Sequence, residues 1–230
     1  MVKNIFSKQK VLQAMFLTKK QAGVTLIELM VVLGIVALVS SVLLFNYSDF
    51  STNISIRNLS QEVALAIRKS QTYATSVQGV SLSGGDRSYP SYGIVFSLEA
   101  NSSPYLPTSK RFISFADIPA TGESLPNKIY DSAGSECGNV AYMSECLESI
   151  SITSADTLFA IETDATGRIS SGTVSITFRR PSPDAIICFI PSGESACLPD
   201  TISYVSLYFK SAKDLVRKVS VWNTGQINVE

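Results

Sequence analysis

The stretch GVTLIELMVV, at residues 23–32, decides how the chain is organised, because it opens the longest apolar run in the sequence. Leu29 to Phe45 are seventeen residues without a charge, and nearly all of them are apolar. Counted from Val24, twenty-two residues carry only the charge of Glu28. Since a transmembrane helix needs about 20 predominantly apolar residues, this segment predicts one membrane-spanning helix.

Residues 1–23 are basic and only patchily apolar. They contain five lysines and no acidic residue. An ordinary secretory signal peptide is cut after its apolar core, whereas the candidate junction here, Ala22-Gly23, lies before that core. Cleavage at this junction leaves the apolar helix in the mature protein. By the positive-inside rule we expect the N-terminus in the cytoplasm and the remainder of the chain outside the inner membrane.

Glu28 is the informative residue of the apolar run, because a carboxylate in lipid costs a few kcal/mol unless it is paired. Cleavage after Gly23 would create a cation, the α-amino group of Val24, one helical turn away or on a neighbouring chain. The N-terminus of a helix also favours a carboxylate. The alternative is that Glu28 merely sits at the interfacial edge of a simple anchor.

The motif at residues 23–32 resembles the N-terminal signal of type IV pilins and pseudopilins: a basic leader, a glycine, and a glutamate at the fifth mature position before a long apolar run. The resemblance implies that a prepilin peptidase cleaves after Gly23 and methylates the amine of Val24. It also implies that Glu28 sets the register of subunits in a filament of pilins or pseudopilins. The family usually has Phe at the first mature position, where this chain has Val24.

Composition excludes several classes of function. The 230 residues have a formal net charge of zero, but without residues 1–23 the chain has 14 basic and 19 acidic residues. An acidic mature chain gives no global signal for nucleic acid. The absence of histidine removes Ser–His and Cys–His nucleophile pairs and every His-based metal site. We therefore expect no enzyme, no cofactor and no metal.

Helical spacing continues beyond the apolar run. One stripe of mostly apolar residues recurs every three or four positions, at Ile56, Leu59, Val63, Ile67, Ser70 and Ala74. We predict a single helix from Val24 to about Gln78, with Gly79 as a stop and residues 46–53 as a weak point. The predicted organisation is a removed leader (1–23), a transmembrane half-helix (24–45), an amphipathic half-helix (46–79) and a β-rich globular head (80–230).

The pattern changes to period two after residue 79, and residues 99–157 read as a long, partly ordered insertion. Short β-branched and aromatic runs between turn residues predict strands at Tyr92–Leu98, Arg111–Phe115, Leu158–Thr163, Thr173–Arg179, Ala185–Ile190, Ser203–Phe209, Leu215–Trp222 and Gln226–Val229. Consecutive strands without intervening helices favour antiparallel sheets. The predicted fold class is α+β: a long N-terminal transmembrane helix packed on an antiparallel β-sheet or two-sheet sandwich.

Two later segments extend the resemblance. Residues 164–168, leading into 172–176, look like the strand–turn–strand of H-type pseudopilins of type II secretion and of FimT-like minor pilins. The tail at residues 219–227 looks like the last hairpin of that family. Both matches are weaker than the one at the N-terminus.

The four cysteines fall into two pairs of equal spacing, Cys137/Cys146 and Cys188/Cys197. An even count in an exported chain favours disulfides. Local pairing is the simplest of three connectivities, and free thiols are an alternative. A four-thiolate metal site is a further alternative, although its ligands usually stand two to four residues apart and here eight residues separate each pair.

A basic cluster near the C-terminus raises the question of DNA. It consists of Lys210, Lys213, Arg217 and Lys218. Such a face is able to contact phosphates, and FimT-like pilins are associated with DNA uptake. By resemblance that activity uses two arginines in the final hairpin, and the matching positions here are Gln226 and Asn228, so DNA is not the favoured partner.

Other polar motifs have simpler interpretations. Gly84-Gly85-Asp86 is a turn, since no lysine or helix follows as in a phosphate loop. Asp156 and Asp164 hint at a calcium loop, but their spacing fits no full ligand set and a turn is favoured. Arg179-Arg180, before Pro181, is most simply a solvated strand end.

Three functions remain as hypotheses. The first is a minor pilin or pseudopilin, held in the inner membrane by one span and then built into a filament at the cell surface or in the periplasm. The second is a DNA-uptake minor pilin that binds DNA through the basic cluster. The third is an unprocessed single-span surface protein, in which Glu28 would have no obvious partner.

Overall fold

The structure, a computed structural model, describes residues 23–81, 87–101, 103, 105–119, 126–131, 137–138, 145–198 and 202–230, without the side chains of residues 45 and 46. The predicted leader up to residue 22, the turn at 84–86 and parts of the segment 99–157 lie outside the described residues. The chain divides into two units, one ending at Ser48 and the other spanning Asp49–Glu230.

One helix, α1 (Leu26–Thr75), accounts for the whole helical prediction. It is 50 residues long and is not interrupted at residues 46–53, the predicted weak point. Nothing in this stretch forces a break, because it contains neither proline nor glycine. The predicted start at Val24 is wrong by two residues, since Val24 and Thr25 precede the first helical turn.

The helix ends four residues before the predicted stop at Gly79. Val77 adopts the left-handed conformation, with φ of 55°, and the Gln78 N–H donates to the Tyr73 carbonyl at 3.1 Å. This pattern closes the last turn as a left-handed cap does. The prediction missed it because a β-branched residue is unfavourable in that conformation and glycine is the usual signal.

Antiparallel strands make up the head. In chain order they are β1 (Val80–Ser81), β2 (Arg87–Ser88), β3 (Ser91–Ser97), β4 (Arg111–Asp117), β5 (Cys146–Ser151), β6 (Thr157–Thr163), β7 (Gly167–Ile169), β8 (Thr173–Phe178), β9 (Ala185–Ile190), β10 (Tyr204–Lys210), β11 (Val216–Trp222) and β12 (Ile227–Val229). They form a five-stranded sheet of order β12-β11-β10-β6-β7, a second of order β5-β4-β3-β8-β9, and a small β1-β2 ribbon. The predicted α+β class is confirmed.

Each predicted strand is present, with ends that differ by at most two residues. Four strands were missed. Three of them, β1, β2 and β7, have only two or three residues, too few to show a period of two. The fourth, β5, lies within residues 99–157, which were predicted to be a partly ordered insertion. Cys146–Ser151 pairs with β4 at the edge of its sheet, and its mixed polar sequence hides the alternation.

The apolar core joins the second half of α1 to both large sheets. The predicted stripe is buried throughout, with Ile56, Val63 and Ile67 fully inaccessible. It shares one cluster with Phe96 of the second sheet and Leu207 of the first. Burying such side chains is worth about 1.5–3 kcal/mol each, so this stripe ties the sheets together.

Polar contacts fix the position of the stripe on the head. Ser55 Oγ donates to Asp156 Oδ2 at 2.6 Å, and Lys69 Nζ lies 2.7 Å from Glu148 Oε2. Gln71 Nε2 donates to the carbonyl of Gly225 at 3.1 Å. Gly225 has φ of 79°, and a Cβ there would lie 2.1 Å from a backbone oxygen, so only glycine fits this turn between β11 and β12.

Two truncations on α1 test this packing. Ile67→Ala should lower the free energy of unfolding by about 3 kcal/mol, because it leaves a cavity under both sheets. Leu65→Ala, on the same helix but 62% exposed, should change it by less than about 0.5 kcal/mol. The measurement is urea unfolding of the full chain in uncharged detergent, followed by the fluorescence of Trp222, the single tryptophan. Equal losses in the two variants would contradict the packing.

Candidate processing and assembly segment

The first turn of α1 is closed by Thr25. Its hydroxyl oxygen accepts the N–H of Glu28 at 3.3 Å, and its carbonyl accepts the N–H of Leu29 at 3.1 Å. Thr25 is therefore the N-cap, with Glu28 in the third helical position, which is the spacing of a capping box. This role of Thr25 was not predicted, although the Thr-x-x-Glu spacing signals it.

Glu28 lies where the helix dipole favours a negative charge, in the first turn. Its backbone N–H donates to the Thr25 hydroxyl oxygen. Among the described residues no cation forms an ion pair with that carboxylate. An unpaired charge in an apolar segment is costly, so the Glu28 carboxylate needs a cation from outside the described contacts.

Gly23 is not required by the fold. A Cβ built on this residue meets no atom within 4 Å. The chain around the predicted junction therefore imposes no steric demand for glycine. Whatever selects glycine at this position acts from outside the described residues.

The first half of α1, together with Val24 just before it, carries exposed apolar side chains on all sides. Val24, Leu26 and Leu38, for example, are 69%, 76% and 71% exposed, and none of the most apolar eighteen-residue window is buried. A helix that is apolar all round needs lipid or other helices around it. By length and composition it is able to cross a membrane.

Comparison with known proteins adds one finding to this geometry. The family model for the prokaryotic N-terminal methylation motif matches residues 18–44. The match covers the junction at Gly23, the capped turn with Glu28, and the apolar run. No curated protein matches the chain, and no solved structure does.

The motif indicates a type IV pilin-like subunit that is processed as a prepilin, and proteins of this motif family are structural. Together with the apolar helix it indicates a membrane-anchored, single-pass protein. The match ends at residue 44, before the head begins. The likeness to H-type pseudopilins, the orientation in the membrane and the location of a filament therefore stay predictions.

The cysteines are joined in the local pattern. Cys137 is bonded to Cys146 and Cys188 to Cys197, with Cα atoms 4.6 and 5.2 Å apart. Each bridge closes a loop of nine residues' separation beside an edge strand, β5 or β9. Among the described residues no cysteine is free.

The basic cluster near the C-terminus is largely paired with carboxylates. Lys210 Nζ lies 2.7 Å from Asp214, and Lys218 Nζ lies 2.9 Å from Glu230. Lys213 Nζ contacts Asp49 of α1. These pairs cancel most of the positive charge of the basic cluster. Of its four cations, Arg217 alone has no ion pair among the described residues.

The two aspartates considered for calcium do not meet. Asp156 precedes β6 and accepts hydroxyls of Ser55 and Ser154, whereas Asp164 follows β6 and accepts the N–H of Ser203 at 2.9 Å. In the part of the chain that the structure describes, no group of three metal-ligating side chains comes together. Both aspartates are thus used to fix loops.

A pair of buried carboxyl groups lies beside the start of β5. Asp117, the last residue of β4, is 1% exposed, and Glu145 is fully buried. Burial raises the pKa of Asp117 to about 7 and that of Glu145 to about 8. Repulsion from Asp131 adds to the raised pKa of both groups, and repulsion from Asp117 adds to that of Glu145.

Backbone hydrogen bonds hold these two carboxyl groups in place. Glu145 accepts the N–H of Ile118 and the N–H of Asp131, both at 2.8 Å. Asp117 Oδ2 accepts the N–H of Lys128 at 3.2 Å, and among the described residues its Oδ1 has no hydrogen-bond partner. The two carboxyl groups thus fix the backbone at Ile118, Lys128 and Asp131, between β4 and β5.

The buried pair predicts a pH dependence of stability. Because the pKa of Asp117 is raised from 3.8 to about 7, the folded state binds the proton more tightly than the unfolded state. Stability should be highest near pH 4 and fall by a few kcal/mol as pH rises toward 8. Asp117→Asn should flatten this fall, as measured by urea midpoints across that range.

Asp214→Asn is the matched control, since the Asp214 side chain is 80% exposed. It should leave the pH profile unchanged. An Asp117→Asn variant with the profile of the wild type would contradict the assignment of the effect to this buried carboxyl group.

Proposed function

We propose that this chain is a minor pilin or pseudopilin, cut after Gly23 by a prepilin peptidase, methylated at Val24, and assembled through α1 into a type IV pilus or a type II secretion pseudopilus. The observation that carries the proposal is the methylation motif at residues 18–44. The motif covers a junction where the described fold does not require glycine, a first helical turn that Thr25 caps, and a helix that is apolar on all sides.

The chemistry of the cut supports this function. Cleavage after Gly23 leaves an ammonium group on Val24, directly before the Thr25 cap. This cation is the partner that Glu28 lacks among the described residues. Pairing within one chain makes the acid tolerable in the membrane, and pairing with a neighbouring chain additionally fixes the axial register of two subunits.

The outer face of α1 offers a surface for assembly beyond the membrane segment. Phe50, Ile54 and Leu65 are 65%, 42% and 62% exposed. At 100° per residue they lie opposite the stripe buried under the sheets. A second copy or a related subunit, packing its own helix on this face, would cover them.

The other two hypotheses have less support. An unprocessed single-span protein would leave Glu28 without a cation. DNA uptake through the basic cluster would have to break the ion pairs of Lys210, Lys213 and Lys218 with carboxylates. Whether the filament is a pilus or a secretion pseudopilus depends on its partners, which a pull-down with each set of components would identify.

Processing is tested by intact mass spectrometry of the chain extracted from membranes. The mass should correspond to a protein that begins at Val24 and carries one extra methyl group. Gly23→Val should abolish cleavage while the head still folds, because a side chain at Gly23 meets nothing in the fold. A wild-type chain that retains residues 1–23, or one cut after the apolar helix, would refute the proposal.

Assembly is tested by Glu28→Gln, which removes the charge but keeps the backbone N–H that Thr25 caps. The variant should still be cut and inserted, but its incorporation into sheared filaments should fall by about tenfold or more, since pairing a charge in lipid is worth a few kcal/mol. Glu62→Gln, the same change at an exposed position of α1, should incorporate normally. Equal incorporation of both variants would rule out the register role of Glu28.

A further inference from the structure

A cleft of about 450 Å³ opens where β2, the end of β4 and the end of β8 meet in the head. Its lining includes Arg87, Tyr89, Pro119, Pro126, Arg179 and Arg180. We call it the arginine cleft. The sequence separates Arg87 from the other two arginines by more than ninety positions, so only the fold brings the three together.

Three cations line this cleft. All three arginines are exposed, and no carboxylate forms an ion pair with them among the described residues. No acidic residue is among the described lining residues. Other arginines, such as Arg217, also lack an ion pair among the described residues, so the distinguishing feature of the cleft is that three guanidinium groups share one concave volume.

The backbone fixes where these side chains start, and one of them is also restrained by an aromatic ring. Arg87 pairs with Ser81 in the β1-β2 ribbon. Arg179 directly follows β8, and its carbonyl accepts the N–H of Ser182 at 3.0 Å in a tight turn. The guanidinium of Arg180 lies 5.4 Å from the centroid of the Tyr89 ring, a cation–π distance that restrains both side chains.

One acid lies behind the cleft rather than in it. Asp117 is near enough to Arg179 for the arginine to lower its pKa, but it is 1% exposed and burial holds that pKa at about 7. Its carboxyl group is therefore only partly ionised at neutral pH. Because it is buried and only partly ionised, it leaves most of the charge of the cleft available to a ligand.

We propose that the arginine cleft binds a phosphate group, carried either by a free phosphate or by a phosphodiester chain. The planar guanidinium fork matches phosphate oxygens in bidentate pairs. Three such groups around one concave volume suit an anion with several oxygens and more than one charge. The rings of Tyr89, Pro119 and Pro126 provide an apolar flank for the group that carries the phosphate. This site is separate from α1 and does not depend on filament assembly.

The test uses the full mature chain in uncharged detergent and three probes. Inorganic phosphate represents the free anion, and a single-stranded oligothymidylate of about ten nucleotides represents a phosphodiester chain. Poly-glutamate represents a carboxylate polymer of similar charge. The variants are the double substitution Arg87→Gln/Arg180→Gln and the control Arg57→Gln, an exposed arginine of α1 outside the cleft.

The wild type should bind a phosphate probe at least about tenfold more tightly than the double variant, whereas Arg57→Gln should differ from wild type by less than about twofold. For the oligothymidylate, the slope of log affinity against log salt should be roughly −2 and should shrink by roughly 1.4 in the double variant, at about 0.7 per cation. Trp222 fluorescence and circular dichroism should show that every variant is folded.

The probes separate the two sources of phosphate. Binding of inorganic phosphate without binding of the oligonucleotide assigns the site to a free phosphate. Binding of the oligonucleotide that inorganic phosphate does not displace assigns it to a phosphodiester chain. Failure of both phosphate probes to bind, equal binding of poly-glutamate, or equal losses in Arg57→Gln and the double variant would overturn the proposal.

Discussion

The structure depends on one helix that meets two different surroundings. Between Leu29 and Phe45 α1 carries no charge and is apolar at nearly every position. In its second half the apolar residues narrow to a stripe, and Ile56, Val63 and Ile67 bury that stripe under both sheets. The helix that needs an apolar environment at one end therefore also supplies part of the core of the head at the other.

The sequence predicts those elements whose evidence is periodic. The stripe on α1 and the longer strands repeat at 3.6 or 2 residues, so their positions follow from the pattern. The end of the helix does not, because Val77 adopts a conformation that its side chain disfavours. Strand β5 was missed because an edge strand needs only one neighbour and tolerates polar residues. The cap at Thr25 could be predicted from the Thr-x-x-Glu spacing. That Arg87 and Arg180 line one cleft could not, because it depends on contacts between residues far apart in the sequence.

Several charges of this protein have a partner, and the groups without one are informative. Lys210 and Lys218 contact carboxylates, and the buried Glu145 accepts two backbone N–H groups. The groups that lack a partner among the described residues include the Glu28 carboxylate, the Oδ1 atom of Asp117 and the arginines of the cleft. A lone charge or polar atom has a cost that well-matched surroundings avoid. In the membrane segment and in the cleft that cost is removed if a second molecule supplies the opposite charge.

The interleaving of the two large sheets constrains how the protein is made. The chain crosses between them three times, after β5, β7 and β9, and β3 finds its neighbour β8 only far downstream, with Ser97 opposite Thr173. The second sheet cannot close until β8 and β9 have been made, and the first cannot close until β10 to β12 have been made. Such long-range pairing is intrinsically slow. The buried stripe of α1, which is synthesised first, therefore waits longest for its cover. A nascent chain in that state needs shielding from aggregation.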